Sequence, residues 1–440
     1  MKLSEAINKS LFFTGAGFSF EAGCKTSNKM LEDLNKRICD SEDDTFTYVE
    51  KQTLSFLLSC LEYHSKWRSL EGNNKQRFTP NIEELALLIR RIKNRENVLP
   101  YPITGNWADK LVQLEAEYEK NNSHSYGREN LYESIESKLK EDCLPDWLSI
   151  EKDEHLKPLK EFLESQPDED FRLKFFTLNN DLLLETSFGD EIPPFSGFHS
   201  EAGKKYKKWI GFNSNSSDDI SDRIDLYKLH GSINWFRGSD EKPYELENYK
   251  SIDSFSEVNG EEEYELEANY YPFIIFGHGV KFFSVEPFFS LIKTFHEYLR
   301  EQKYYFVIGY SFFDPYINNL IFEELQRDPN DEKKLVIISP ELASGYLPKN
   351  ESGSDVFVNK FGFDILEEKW NKQFVDFFKD VQNNNFYSDL PEFNIKTISD
   401  KAIYYIKTTT GCFLEKALAE NGKVFLEIIE EFEKEEYDEF

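Results

Sequence analysis

The residues of this chain that could do chemistry fall in four short clusters, each of which directly follows an apolar run. In chain order they are residues 14–19 (TGAGFS), 177–181 (TLNND), 228–235 (KLHGSINW) and 309–318 (GYSFFDPYIN). Glycines allow a backbone to turn tightly and to approach a ligand. Hydroxyl, amide and carboxylate groups can bind sugar hydroxyls, and the imidazole of His230 can act as a general base near neutral pH.

Each cluster also has a plain structural interpretation. TGAGFS is neither G-x-G-x-x-G nor a Walker motif, so it could be a tight turn without a ligand. Asn179 and Asp181 could form Asx turns or helix caps, and Asp314 followed by proline is a good helix start. A lone His230 is more often structural than catalytic. These interpretations do not explain why one edge of a sheet would collect all four clusters.

The apolar runs indicate the elements that position the clusters. They are residues 11–13, 173–177, 226–229, 272–276, 304–308 and 335–339. Short runs without polar alternation are typical of buried parallel strands, and amphipathic helical patterns lie between them. The sequence therefore predicts an α/β fold, a Rossmann-like parallel sheet with helices on both faces.

The spacing of these runs predicts insertions within one large domain, residues 1–385. About 160 residues separate the first two runs, far more than a parallel crossover needs, which predicts a large helical insertion over 40–170. We also expect an acidic loop or hairpin over 238–270, a loop over 201–222 and an amphipathic helix over 361–381. Residues 386–440 are predicted to form a small acidic C-terminal extension.

Composition excludes several classes of function. The chain has 440 residues, 82 acidic against 52 basic side chains, and a formal charge of −30. Such a charge argues against direct nucleic-acid binding and against docking on anionic membranes. No apolar run is long enough to span a bilayer, and the first residues do not resemble a secretory signal. Five scattered cysteines without a C-x-x-C pair, and no H-E-x-x-H, predict reduced thiols, a cytoplasmic location and no metal site.

The four clusters, in this order, resemble the motifs of sirtuins, which carry G-A-G-x-S, T-x-N-x-D, H-G and a later G-x-S. The resemblance spans about residues 5–385 and is greatest to the bacterial sirtuin-like (Sir2-like) NAD-hydrolysing domains of anti-phage defence systems. Two departures separate the chain from protein deacylases: it lacks their Pro-x-Phe-Arg segment after the first motif, and it lacks their zinc module with two cysteine pairs.

The resemblance implies roles for individual residues. NAD⁺ would be the substrate, and no metal would be needed. Asn179 would hold the nicotinamide ribose and an attacking water, and His230 would be the general base. Asp181 would position the cofactor or orient its neighbours. Gly15, Ala16, Gly17 and Ser19 would line the pyrophosphate and ribose of NAD, with the backbone amides of this loop facing the pyrophosphate. The rest of the cofactor-binding set would comprise Thr177, Gly309, Ser311 and Asp314.

The resemblance also implies a function: an NAD⁺ glycohydrolase that gives nicotinamide and ADP-ribose and depletes NAD⁺ in abortive infection. We expect a homo-oligomer with a sensor partner, a HerA-like ATPase in the first place and a short Argonaute protein in the second. Two alternatives remain open. One is a protein deacylase or ADP-ribosyltransferase, and the other is a regulatory module that binds NAD or ADP-ribose without turnover.

Overall fold

The computed structural model of the protein describes most of the chain, and every structural statement below concerns those residues. They are 1–40, 42–70, 80–95, 108–122, 130–166, 171–189, 191–200, 204–212, 223–238, 240–247, 249, 273–275, 285–312, 314–327, 333–340, 365–369 and 402–434. Among them, no helix is both long enough and apolar enough to cross a membrane.

Helices and strands alternate through the described chain. In order they are α1 (Leu3–Asn8), β1 (Ser10–Thr14), α2 (Ala16–Phe20), α3 (Ser27–Cys39), α4 (Tyr48–Leu70), α5 (Ile82–Lys93), α6 (Ala108–Asn121), α7 (Leu131–Leu148), a 3-10 turn (Glu154–Leu156), α8 (Lys157–Ser165), β2 (Leu173–Thr177), α9 (Leu183–Phe188), β3 (Phe198–Ser200), β4 (Tyr206–Trp209), β5 (Ile224–Lys228), β6 (Trp235–Arg237), β7 (Pro243–Leu246), α10 (Phe288–Glu301), β8 (Tyr304–Ile308), α11 (Pro315–Arg327), β9 (Lys334–Ile338), β10 (Ile365–Lys369), β11 (Ala402–Ile406), α12 (Thr410–Ala417) and α13 (Ala419–Lys434).

The main sheet has seven strands in the order β10-β11-β9-β8-β1-β2-β5. All neighbours pair in parallel except β10, which lies antiparallel to β11 at one edge. In β1, β5 and β8 all five residues are buried, as expected for strands covered on both sides. Thr14 is in register with Thr177 and Ile308, so these strands end at the same level.

Helices cover both faces of this sheet, which confirms the predicted Rossmann-like α/β architecture. On one face Phe12 stacks between Phe175 and Phe306 at ring distances of 5.3 and 5.5 Å, beneath α1, α8, α9, α12 and α13. On the other face Phe13 and Phe176 pack against Phe295 of α10, and α11 completes this layer. Successive residues of a strand point to opposite faces, so adjacent phenylalanines serve different cores.

The predicted large helical insertion is also confirmed. Helices α4 to α7 bury a third apolar core together with α3. Two of them begin at asparagine capping boxes, Asn81 before α5 and Asn130 before α7. Arg90 of α5 and Glu136 of α7 form a buried ion pair at 3.2 Å, which joins these two helices.

Three local predictions differ from the structure. Part of the 201–222 segment forms β4, which lies between β3 and β7 in a second, antiparallel sheet of order β3-β4-β7-β6. Within 272–276 the described residues make a single bridge, Ile274 with Gly231, and no strand. Within 361–381 the described residues form β10 rather than a helix. In the first and third cases pairing with distant strands overrides the local pattern.

Of the predicted acidic insertion over 238–270, the described part forms a hairpin. Strand β7 pairs antiparallel with β6 directly across the turn at Gly238. The acidic run over 250–270 lies outside the described residues.

The C-terminal segment, predicted to be a small extension, takes part in the main sheet. Strand β11 lies between β9 and β10. Phe425 of α13 lies 6.2 Å from the ring of Phe12 and 5.2 Å from that of Phe306, in the same core as β1. Residues 402–434 therefore help to hold the strands that position the clusters.

Because α13 packs in the same core as the main sheet, shortening one of its buried side chains should destabilise the protein. Phe425→Ala removes a ring that is 3% exposed and should lower the free energy of unfolding by about 3–5 kcal/mol. The neighbouring exposed Lys423→Ala is the control and should change it by at most about 0.5 kcal/mol. Denaturant unfolding of the full chain measures both. Equal stability of the two variants would show that the C-terminal helices are a dispensable extension.

Candidate functional site

The first and fourth clusters meet through glycines. Gly17 N–H donates to the carbonyl oxygen of Gly309 at 2.8 Å, and Gly15 N–H donates to that of Ile308 at 3.1 Å. A Cβ atom on Gly17 would lie 2.8 Å from the Cα atom of Gly309, and one on Gly15 would lie 2.7 Å from the Cα atom of Tyr310. The backbones are therefore too close for any side chain between them.

These contacts change the role expected for the first loop. The amides of Gly15 and Gly17 already donate to backbone oxygens, and Phe18 N–H donates to the carbonyl of Gly15 at 2.9 Å. They are not available to a pyrophosphate in this conformation. Ala16 and Ser311 are exposed and Gly309 is half-buried, so these residues remain accessible to a ligand.

Asn179 is fixed against this loop by its side-chain amide. Nδ2 donates to the carbonyl oxygen of Gly15 and to Oγ of Ser19, both at 2.9 Å. The hydroxyl of Thr177 accepts from the backbone N–H of Asn179 at 3.0 Å, which shapes the turn after β2. Since both N–H bonds of the amide are used, Oδ1 is the group with which Asn179 would accept a hydrogen bond from water or a ribose hydroxyl.

His230 is held by a carboxylate from the fourth cluster. Its Nε2 lies 3.1 Å from Oδ2 of Asp314, and both residues are buried. The other oxygen of Asp314, Oδ1, accepts from the backbone N–H groups of Tyr316 and Ile317 and so caps α11. The hydroxyl of Tyr310 accepts from the backbone N–H of Asp314, and it lies within hydrogen-bond distance of the backbone carbonyl oxygen of Asp314 and of Oδ1 of Asn318. Asp314 thus serves as helix cap and as partner of the histidine.

Asp181 lies at the start of α9 in a buried polar group. Its Oδ1 accepts from the backbone N–H of Leu183 at 3.0 Å. Its carbonyl oxygen accepts from the ammonium of Lys228, which also donates to Ser232 Oγ at 2.9 Å and pairs with Glu185 at 2.7 Å. A cavity of about 220 Å³ of empty space, part of it open to solvent, lies here. Its polar lining comprises Thr14, Ser19, Thr177, Asn179, Asp181, Glu185 and Lys228.

Ionisation in this region does not favour a thiolate or phenolate nucleophile. Burial, assisted by the charge of Asp181, raises the pKa of the Cys24 thiol to about 12. Burial also raises the pKa of Tyr310 well above its usual value. The described residues contain no group of three side chains suited to hold a metal ion.

The structure thus brings the predicted residues together in two hydrogen-bonded sets. One joins Gly15, Ser19, Thr177 and Asn179, and the other joins His230 and Asp314. Backbone bonds connect the loops that carry them: Leu229 N–H donates to the carbonyl of Thr177 at 2.9 Å, and Ile233 N–H to that of Asn180 at 3.1 Å. No hydrogen bond between the side chains of Asn179 and His230 occurs among the described residues.

Sequence reasoning includes Lys228 and Tyr310 in the third and fourth clusters without assigning them a role, and it misses Glu185 altogether. A signal for the first was present, because a lysine ending an apolar strand is rarely buried without a partner. Nothing in the pattern marks Tyr310 or links Asp314 to His230, since 84 residues separate the members of that pair.

The comparison with known protein families concerns the second, third and fourth clusters. Residues 173–364 match the SIR2-like domain family. This segment is somewhat less than half of the chain and contains Asn179, Asp181, His230 and Asp314, while the first cluster lies outside it. The match supports the sirtuin-like resemblance. No curated protein matches the chain.

Two solved structures align along nearly the whole chain with low similarity. One is a Sir2 homologue triple mutant in complex with 2′-O-acetyl-ADP-ribose, with 11% identity, a TM-score of 0.37, and coverage of 97% of this chain and 98% of that one. The other is a Sir2 homologue mutant in complex with ADP-ribose, with 10% identity, a TM-score of 0.34 and the same coverage.

The contact between the loops predicts a large cost for a methyl group at Gly309. Its φ is +62°, and a Cβ atom would lie 2.4 Å from the backbone nitrogen of Phe18. Left-handed strain of about 1–2 kcal/mol and overpacking of about 1–3 kcal/mol should together destabilise Gly309→Ala by about 2–5 kcal/mol.

Gly211→Ala is a matched control, since φ there is +79° but nothing lies within 4 Å of the added methyl. It should cost only the strain, about 1–2 kcal/mol. Thermal or denaturant unfolding compares the two. If Gly309→Ala is no less stable than Gly211→Ala, the close approach of the two loops is wrong.

Proposed function

We propose that this protein is an NAD⁺ glycohydrolase that cleaves the bond between nicotinamide and ribose. The observation that carries the proposal is the pairing of His230 with Asp314. The loop of His230 lies beside the loop of Asn179, and all three residues fall within the segment that matches the SIR2-like domain. Asn179 offers a hydrogen-bond acceptor, and His230 has a carboxylate partner. Both lie at the carboxyl edge of parallel strands, where such groups suit chemistry on a ribose ring.

The reaction does not require a strong general acid from the protein. As the glycosidic C–N bond breaks, its electrons return to the pyridinium ring, so nicotinamide leaves as a neutral molecule. Positive charge builds at the anomeric carbon, and a water molecule must attack there. The protein therefore has to hold the ribose and the water, and to accept the proton that the water loses.

The described residues fit these tasks. Asp314 is an acceptor, so Nε2 of neutral His230 carries the hydrogen of their bond, and Nδ1 is then the basic nitrogen. We assign to Nδ1 the proton released by the water or by a ribose hydroxyl. We assign to Asn179 Oδ1 the hydrogen bond that orients this water or hydroxyl, because Nδ2 is held by Gly15 and Ser19.

We extend the proposal to a biological role, the depletion of NAD⁺ during abortive infection by phage. The resemblance to bacterial sirtuin-like domains supports it. The charge of −30 supports a division of labour in which a partner, in the first place a HerA-like ATPase, senses the phage while this chain acts on NAD⁺. The genes adjacent to this one test this extension, and co-purification with their products tests the partner.

The proposed chemistry predicts the effect of two substitutions. Asn179→Ala and His230→Ala should each lower NAD⁺ hydrolysis at least about 100-fold, the lower range for a positioned base. A fluorogenic NAD⁺ analogue measures turnover of the purified protein, with its partner added where activity requires it. His199→Ala, at an exposed histidine on β3, is the control and should keep full activity.

The same preparation separates the alternatives. Full activity of both variants would contradict the assignment of the site. Transfer of an acyl group from acyl-lysine peptides, detected by mass spectrometry, would favour a deacylase. Binding of NAD⁺ without turnover under every partner condition would favour the regulatory module.

The two roles of Asp314 predict a variant that loses activity and keeps stability. In Asp314→Asn an amide oxygen can still cap α11, because asparagine is as good a cap as aspartate. The amide nitrogen then faces His230 Nε2 and favours the wrong tautomer, as in catalytic triads. We expect kcat to fall at least about tenfold, with the free energy of unfolding changed by less than about 1 kcal/mol. Wild-type kcat in this variant would show that Asp314 does not orient His230.

A further inference from the structure

Lys228 is an unusual residue at the end of β5. It is only 2% exposed, although a lysine is rarely buried, and burial of an ammonium is costly unless the charge is fully partnered. Its strand neighbour Tyr227 points into the opposite core, so Lys228 faces the cavity beside Asn179. The proposed hydrolysis gives Lys228 no chemical role.

The three contacts of Lys228 join three different segments. Its ammonium donates to the carbonyl oxygen of Asp181, in the loop that carries Asn179. It donates to Oγ of Ser232, two residues after His230, at 2.9 Å. It pairs with Glu185 of α9 at 2.7 Å. A single charge thus connects the loops that carry both candidate catalytic residues.

Glu185 supplies the counter-charge. Part of the residue reaches the surface, but both carboxylate oxygens are buried, and Lys228 is the cation that approaches them among the described residues. Burial raises the pKa of this carboxyl, against the opposing charge of Lys228. Within the described part of the site, Lys228 is the only cation at ion-pair distance from Glu185, and Lys207 acts on this carboxylate from farther away. Loss of either member of the pair therefore leaves a buried charge without its close counter-charge.

We propose that the Lys228–Glu185 pair is the positioning element of the site, which fixes the loop of Asn179 and Asp181 relative to the loop of His230. The pair acts by positioning these residues. The ammonium of Lys228 is suited to this task, because its hydrogen bonds to Asp181 and Ser232 have defined directions and weaken steeply when bent. Glu185 contributes the counter-charge of an ion pair rather than a directed hydrogen bond. The proposal rests on the proposed function for its kinetic test but not for its structural one.

The structural test is hydrogen exchange of the backbone amides, measured by mass spectrometry on the full chain without any ligand. In Lys228→Met the peptides covering 178–184 and 229–234 should exchange at least about tenfold faster than in the wild type, because local opening is favoured. Lys138→Met is the matched control. It breaks an ion pair of the same 2.7 Å length, with the buried Glu50 in the helical insertion, and should leave both peptides unchanged. Wild-type protection of both peptides in Lys228→Met would overturn the proposal.

The kinetic test separates positioning from stability. Lys228→Met/Glu185→Met removes both charges, and an apolar pair of similar volume often restores stability. It does not restore the bonds to Asp181 and Ser232. We therefore expect a melting temperature close to that of the wild type but a kcat for NAD⁺ about 100-fold lower, the order of loss for a displacement near 1 Å. KM should change much less.

The outcomes distinguish the two proposals. Wild-type kcat in the double variant would show that the pair is only structural and would overturn the positioning role. A wild-type protein that never hydrolyses NAD⁺ would contradict the proposed function, and hydrogen exchange would still decide whether Lys228 fixes the two loops.

Discussion

The candidate site depends on how closely two backbones approach each other at the carboxyl end of the sheet. Gly17 and Gly309 lie so near that a Cβ atom on either would overlap the other loop, and the hydrogen bond between them closes the gap. This contact places the carbonyl of Gly15 and the hydroxyl of Ser19 where Asn179 can donate to both. It also sets the position of Tyr310, whose hydroxyl bonds Asp314. Asp314 in turn holds His230. A larger residue at either glycine would therefore disturb both hydrogen-bonded sets.

Much of the fold is predictable because burial imposes simple patterns on the central strands. The runs at 173–177 and 304–308 coincide with β2 and β8, since a strand covered on both faces has to be apolar throughout. The strands that the pattern did not predict are stabilised by pairing with strands that are distant in the sequence. Strand β4 contains a lysine-rich stretch that looks like a loop, yet Tyr206 within it is fully buried between β3 and β7. Strand β11 pairs with β9 on one side and with β10 on the other, and both partners lie far from it in the sequence.

For the site, the sequence predicts which loops converge but not how their side chains pair. Parallel strands must end at one edge, so the meeting of the four clusters follows from topology alone. Two features depend on side-chain rotamers and on sub-ångström loop positions, which the hydrophobic pattern of a sequence does not predict. They are the bond between His230 and Asp314 and the three contacts of Lys228. The same limit applies to the first loop, whose amides were expected to face a phosphate but donate to the protein instead.

The residues of the candidate site are divided between the segment that matches the family and the part of the chain before it. The matched segment begins at Leu173, so it contains Asn179 but not Ser19 or Gly15, the two residues that bind its amide nitrogen. A helical insertion lies between these parts, and it shares its core with strands β4, β6 and β7 of the second sheet. Parallel pairing of β1 with β2 overcomes that separation, because the register fixes the strand ends whatever chain connects them. The orientation of Asn179 is thus set by residues that the SIR2-like segment does not include, and the segment in isolation would leave its amide without those acceptors.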